Sequence, residues 1–324
     1  MENAAMCATV LCRGLAVIMA GLVFVGRVAA DNYRELPEPA EMGPPGSIML
    51  HGGGRLTIEA FECFVNLAGG PEAKIVLIPS AGYRANDYDS PERFISAINR
   101  NFSTWIRLPS RGKASSVAVL HTDDPRDADD DTFIQPLNTA TGVWFSGGEQ
   151  MHLSYRYAGN FPYQTRLQDA LRNVLERGGV VGGTSAGMAA LPEVMTVTES
   201  SFRGAPSRAV TGHGLGLLTN AIVEQHFDGR NGRFERFAGL LRDDERLDAL
   251  TGRDGAGARM MGLAVEECTA LVLQSNRLAV VGNGNAHVFI KSLEQQQISW
   301  HTLGPQSKAL LKYDNRGQAT LIRN

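Results

Sequence analysis

Charge of either sign is in short surplus here: 34 Asp and Glu stand against 31 Lys and Arg, a net charge of -3. That balance offers no electrostatic reason to expect nucleic acid or an anionic membrane as a partner. Cysteine is scarce as well. Cys7 and Cys12 lie at the extreme N-terminus, which leaves Cys63 and Cys268 in the body of the chain, without a CxxC pair or a zinc-type spacing. A disulfide-built scaffold is thereby excluded, although an oxidising compartment would permit a single bond between those two, and two buried thiols are the alternative. The acidic stretch Asp123–Asp131 lacks the glycine and the ligand spacing of a calcium loop and reads as a solvated loop or a helix start. No internal repeat is present, and the 324 residues leave room for one or two domains.

A single uncharged apolar run stands out, from Gly14 to Gly26, preceded by Arg13 and followed by the small residues Val28-Ala29-Ala30. This order of charged, apolar and small residues is that of a secretory signal peptide cleaved after Ala30. The run falls short of the roughly 20 apolar residues of a membrane span. The reading is a signal peptide over 1–30, a Pro-rich polar linker over 31–46 and one domain over 47–324. The mature chain is expected to be secreted or periplasmic and free of the membrane.

From Ser47 onward, short β-rich runs alternate with helical patterns. SIML (47–50) ends in His51-Gly52-Gly53-Gly54, KIVLIP (74–79) in Ser80-Ala81-Gly82, and GVWF (142–145) in Ser146-Gly147-Gly148. Helices are expected from Pro91 to Asn99 and within 166–179, and a further strand at 116–120. This alternation predicts an α/β fold: a mostly parallel sheet with helices on both faces, whose strand C-termini gather the ligand-binding loops at one edge. The runs 262–267, 269–274, 278–282 and 287–290 are short strands and predict an antiparallel edge to the same sheet.

Gly183-Thr184-Ser185-Ala186-Gly187 matches G-x-S-x-G between a strand and a helix, where a strained turn lifts a serine hydroxyl clear of the sheet. The Ala186 N–H at the helix start is a natural oxyanion donor. A serine hydroxyl needs a base within hydrogen-bond reach. Among the seven histidines, His226 closes the run AIVEQHF (221–227), which reads as a strand entering a polar loop at the same edge.

GGTSAGMAAL (182–191), SGGEQ (146–150) and VEQHFDGR (223–230) together resemble the signature segments of the cyanophycinase family, and the likeness extends to the glycine turn at 51–54, to GLGLL (214–218) and to 262–282. The resemblance implies a class I glutamine amidotransferase-like fold and serine-type cleavage of cyanophycin, a poly-aspartate with arginine on each side-chain carboxylate, to β-aspartyl-arginine dipeptides. It implies no metal or organic cofactor. It assigns Ser185 as nucleophile, His226 as base, Gly148 and Ala186 as oxyanion donors, and Gln150, Glu224 and Gln225 as pocket residues. It places a glutamate between the serine and histidine motifs; Glu193 and Glu199 qualify, and Glu199 is preferred. Arg230 is expected to bind substrate carboxylates, together with Arg233 and Arg236, for which a solvated helix face is the alternative. Other β-linked or acidic peptides are an alternative substrate class. An esterase using a late histidine (His287 or His301) and a non-catalytic binding protein are the remaining readings. The oligomeric state stays open, with a homodimer among the options.

Overall fold

A computed structural model describes residues 45–197, 209–227, 233–293, 297–315 and 317–323. The expected signal peptide (1–30), most of the linker, Glu199 and Arg230 lie outside these residues.

The strands are β1 (Ser47–His51), β2 (Lys74–Ile78), β3 (Ser116–Val119), β4 (Gly142–Phe145), β5 (Val180–Thr184), β6 (Val194–Val197), β7 (Val210–His213), β8 (Ala221–Glu224), β9 (Met261–Val265), β10 (Thr269–Gln274), β11 (Arg277–Gly282), β12 (Ala286–Lys291), β13 (Ile298–Leu303), β14 (Lys308–Tyr313) and β15 (Ala319–Arg323). The main sheet runs β15-β14-β11-β10-β1-β5-β4-β2-β3. Its core, β1-β5-β4-β2-β3, is parallel throughout. From β1 outward through β10, β11, β14 and β15 every pairing is antiparallel.

The core strands are apolar on both faces because helices cover both. Ile48, Leu50, Val76, Ile78, Val143 and Phe145 pack with Leu167, Leu171 and Val174 of the Arg166–Glu176 helix. The alternate residues Met49, Ile75, Leu77 and Trp144 pack instead with Phe64 of the Ile58–Leu67 helix and with Phe94 and Ile98 of the Pro91–Asn101 helix. This period-two partition is what a doubly covered parallel sheet requires. Local signals define the helix starts. Thr165 and Gln168 form a reciprocal capping box, and the Ser90 side chain accepts from the Arg93 N–H ahead of Pro91. In the acidic stretch, the Asp130 carboxylate accepts from the Thr132 and Phe133 N–H groups and so begins the Asp131–Ile134 helix.

One expectation needs correction. The runs at 262–267 and 287–290 do not extend the main sheet. They form β9 and β12 of a second sheet, ordered β13-β12-β9-β8. Val223, Leu263 and Val288 turn toward the main core, while Ile222, Ala264 and Phe289 pack against Phe237 and Leu241 of the Arg233–Leu241 helix. β8, β9 and β12 of this sheet therefore each have two apolar faces to bury, which an exposed sheet edge could not satisfy. Within it β8 and β9 are parallel, with Glu224 opposite Ala264. Their C-termini consequently emerge side by side.

Candidate active site

Ser185 sits between β5 and the short Ala186–Ala189 helix with φ 54° and ψ -118°, a backbone conformation that L-residues rarely adopt. Such strain is held where surrounding contacts over-determine it, and here it points the hydroxyl out of the sheet edge. The Ser185 Oγ lies 2.7 Å from His226 Nε2, and His226 Nδ1 lies 2.7 Å from Glu267 Oε1. His226 has φ 50°, and its N–H donates to Gly52 O at 2.7 Å. The Phe227 N–H donates to Val265 O at 3.1 Å, which ties the end of β8 to the end of β9 just before Glu267.

Among the described residues, the carboxylate on the histidine is Glu267, from beyond the histidine motif. Glu193 is committed elsewhere, to Arg253 at 2.7 Å. Glu199 lies outside the described residues. The signal for Glu267 was present: two adjacent acids, Glu266 and Glu267, close the apolar strand GLAV at the edge where the other loops gather. The parallel pairing of β8 with β9 is what brings them beside the histidine. The late histidines do not reach the serine. His287 Nε2 contacts Glu266 Oε1 at 3.2 Å and His301 Nε2 contacts Ser299 Oγ at 3.2 Å, which removes the structural basis for the esterase reading.

The Gly147–Gly148 turn closes over the serine; a Cβ on Gly147 would lie 3.4 Å from Ser185 Cβ. Gly148 has φ +148°, and a Cβ there would lie 2.2 Å from Ala81 O, so no side chain fits. The Glu149 N–H donates to that same Ala81 oxygen at 2.8 Å, which fixes the turn to the loop after β2. That loop is anchored from below. Ser80 Oγ bonds His121 Nδ1 at 2.9 Å and Tyr157 OH at 2.6 Å, and Arg156 donates to Ser80 O and pairs with Asp123. Burial raises the Asp123 carboxyl, but the nearby His121 ring and the Arg156 guanidinium outweigh it and hold it at about 2.

The remaining predicted residues divide into floor and anchor. Gln150 is fully buried, with Nε2 donating to Thr196 O at 2.9 Å. Gln225 is buried too, and its Oε1 has no hydrogen-bond partner among the described residues. Glu224 is wholly buried and does not face the pocket as a free carboxylate. Its Oε1 accepts from Arg233 Nη1 at 2.7 Å, and its Oε2 from Arg236 Nη2 at 2.9 Å. Complete burial pushes the Glu224 carboxyl up against the downward pull of both guanidiniums. Arg233 and Arg236 are thus neither a solvated helix face nor independent carboxylate binders. They turn inward onto one buried acid, and Arg233 also donates to Gln225 O at 2.9 Å. Both cysteines are free thiols, and burial pushes Cys63 up to about 11.

A serine, an imidazole and a carboxylate in hydrogen-bonded series, beside a glycine turn, can carry out acyl transfer. The family model for peptidase family S51 matches residues 48–280, a span holding every residue of this arrangement. The chain belongs to peptidase family S51. It is accordingly a hydrolase, a serine-type peptidase. A cyanophycinase of Synechococcus elongatus is 30% identical over 253 residues, spanning 76% of this chain and 68% of that protein. A cyanophycinase of Geminocystis herdmanii is 27% identical over 249 residues, spanning 75% of this chain and 79% of the relative. In fold, the S51 chain is similar to a peptidase from an acI-B1 Actinobacterium, with a TM-score of 0.53 at 19% identity over 82% of this chain and 96% of the other.

Proposed function

We propose that this S51 peptidase is an exported cyanophycinase. Ser185 Oγ attacks a backbone carbonyl of the poly-aspartate chain while His226 Nε2 takes its proton. Glu267 holds the imidazole through Nδ1–H and stabilises the imidazolium that forms. The Gly148 and Ala186 N–H groups receive the developing oxyanion. His226 returns the proton to the leaving amine, and water then releases the acyl group from Ser185 by the same route in reverse.

The observation that carries the reading is the unbroken Ser185–His226–Glu267 series, with 2.7 Å at each link. A substrate bearing both carboxylates and guanidiniums calls for polar partners, and the Gln225 side chain, next to His226 and with Oε1 unpartnered among the described residues, offers one. The likeness to proteins named cyanophycinases supports the substrate, and the charged, apolar and small-residue order of residues 13–30 supports export.

Incubation of the purified protein and its Ser185→Ala variant with insoluble cyanophycin tests the assignment. Release of β-aspartyl-arginine by the wild type alone is the expected result. A folded wild type that leaves cyanophycin intact but cleaves other β-linked acidic peptides would replace the substrate and keep the chemistry. Export is tested separately by N-terminal sequencing of the protein recovered outside the cytoplasm, with Asp31 expected first.

A further inference from the structure

His51 ends β1 with its side chain fully buried. Its Nδ1 lies 2.8 Å from Thr184 Oγ1 and 3.3 Å from the Gly53 amide nitrogen. An amide can only donate, so Nδ1 is an acceptor, and the Thr184 hydroxyl donates to the same atom. The ring proton then sits on Nε2, which has no hydrogen-bond partner among the described residues. Burial, with His226 nearby, holds the His51 pKa down to about 4, so the ring is neutral at neutral pH.

The two groups gathered by Nδ1 belong to different parts of the site. Thr184 directly precedes Ser185. Gly53 is the residue against which the His226 ring rests, since a Cβ there would lie 2.1 Å from His226 Cε1. The backbone of the same turn carries the rest. His51 O accepts from Ser185 N–H at 2.9 Å, Gly52 O from His226 N–H at 2.7 Å, and Gly53 O from Cys268 N–H, next to Glu267, at 2.8 Å. Ser185, His226 and the residue after Glu267 therefore hang from residues 51–53, and the imidazole pins that turn to the serine strand.

We propose that His51 is a positioning residue for the Ser185–His226 pair, its neutral Nδ1 clamping the 51–53 turn to Thr184 so that the Oγ–Nε2 separation is held for proton transfer. The proposal rests on Ser185 acting as the nucleophile. The atom that matters is an acceptor at the δ position of a short stem. Asparagine can present one there and leucine cannot. A cationic ring would lose the hydrogen bond from Gly53, could keep Thr184 only by reversing donor and acceptor, and would oppose the imidazolium that forms on His226.

The full chain is compared with His51→Leu, His51→Asn, Thr184→Val and Ser185→Ala. The readouts are the rate of serine labelling by a fluorophosphonate, kcat and KM on cyanophycin, and the thermal midpoint. His51→Leu is expected to slow labelling and kcat by about 10- to 100-fold with KM little changed, the loss expected from a small misplacement of reacting groups. Thr184→Val, which removes the clamp from its other end, is expected to match it, and the double variant to be no slower than either single one. His51→Asn is expected to recover most of the rate. Leucine or valine variants with wild-type rates would overturn the proposal, whatever their thermal midpoints. So would an asparagine variant as slow as the leucine one, or a rise in KM alone. Labelling of Ser185→Ala would instead remove the nucleophile assignment, an outcome separable from the others.

Discussion

The Gly53 backbone occupies the floor on which the His226 ring lies, and a Cβ added there would meet the ring at 2.1 Å from Cε1 and 2.6 Å from Nε2. The missing side chain thereby sets the position of the base. Gly53 also has φ +108°, where an L-residue is strained.

Gly53→Ala should therefore displace the ring from Ser185 and cut kcat by about 100-fold or more. Circular dichroism should show the fold retained. Wild-type kcat in a folded Gly53→Ala protein would mean that the ring is not packed on this turn.

Glu267→Gln should lower kcat by about 10²- to 10⁴-fold with a smaller change in KM, because a neutral amide neither stabilises the imidazolium nor enforces the tautomer. Steady-state kinetics on cyanophycin read this directly. Glu199→Gln, the change at the acid favoured from sequence, should leave kcat near wild type. The opposite pattern would reassign the third position.

Glu224→Ala leaves the guanidiniums of Arg233 and Arg236 facing a buried void without their counter-charge. Breaking a buried pair in this way costs about 3–5 kcal/mol. Urea denaturation should show a lower midpoint with a similar slope. A change below about 1 kcal/mol, the scale of an exposed ion pair, would mean that the three side chains are solvated in solution.

Acid sensitivity should carry the mark of His51. Its folded pKa of about 4 lies below the ordinary 6.5, so the unfolded chain binds more protons between those values. Stability from this group is complete above pH 6.5 and is lost as pH falls toward 4, by roughly 2–4 kcal/mol over the window. Denaturation at pH 7 and pH 4.5 should show a smaller acid loss in His51→Asn than in wild type. Equal losses would mean that the ring is solvated.

Much of this protein was legible from local chemistry. The runs ending in Gly52-Gly53-Gly54, Ala81-Gly82 and Gly147-Gly148 marked strand ends, and the helices from Pro91 and within 166–179 were legible too, because turns and helical patterns are specified by nearby residues. The serine elbow and His226 were recognisable for the same reason. Strand partnership was not. GLAV in β9 and TALVLQ in β10 are both short apolar runs, yet one enters the second sheet beside β8 and the other joins β1 in the main sheet. Only that choice brings Glu267 to His226, since a parallel pairing aligns chain ends that are distant in sequence. The inward turn of Arg233 and Arg236 had the same origin: a three-residue spacing defines a helix face, but burial of Glu224 beneath that helix decides what the face meets. The sequence by itself determined which residues could do chemistry and where each local turn would fall. The tertiary structure decided which acid meets the base and which charges cancel inside, because those depend on non-local pairing that no short stretch of chain encodes.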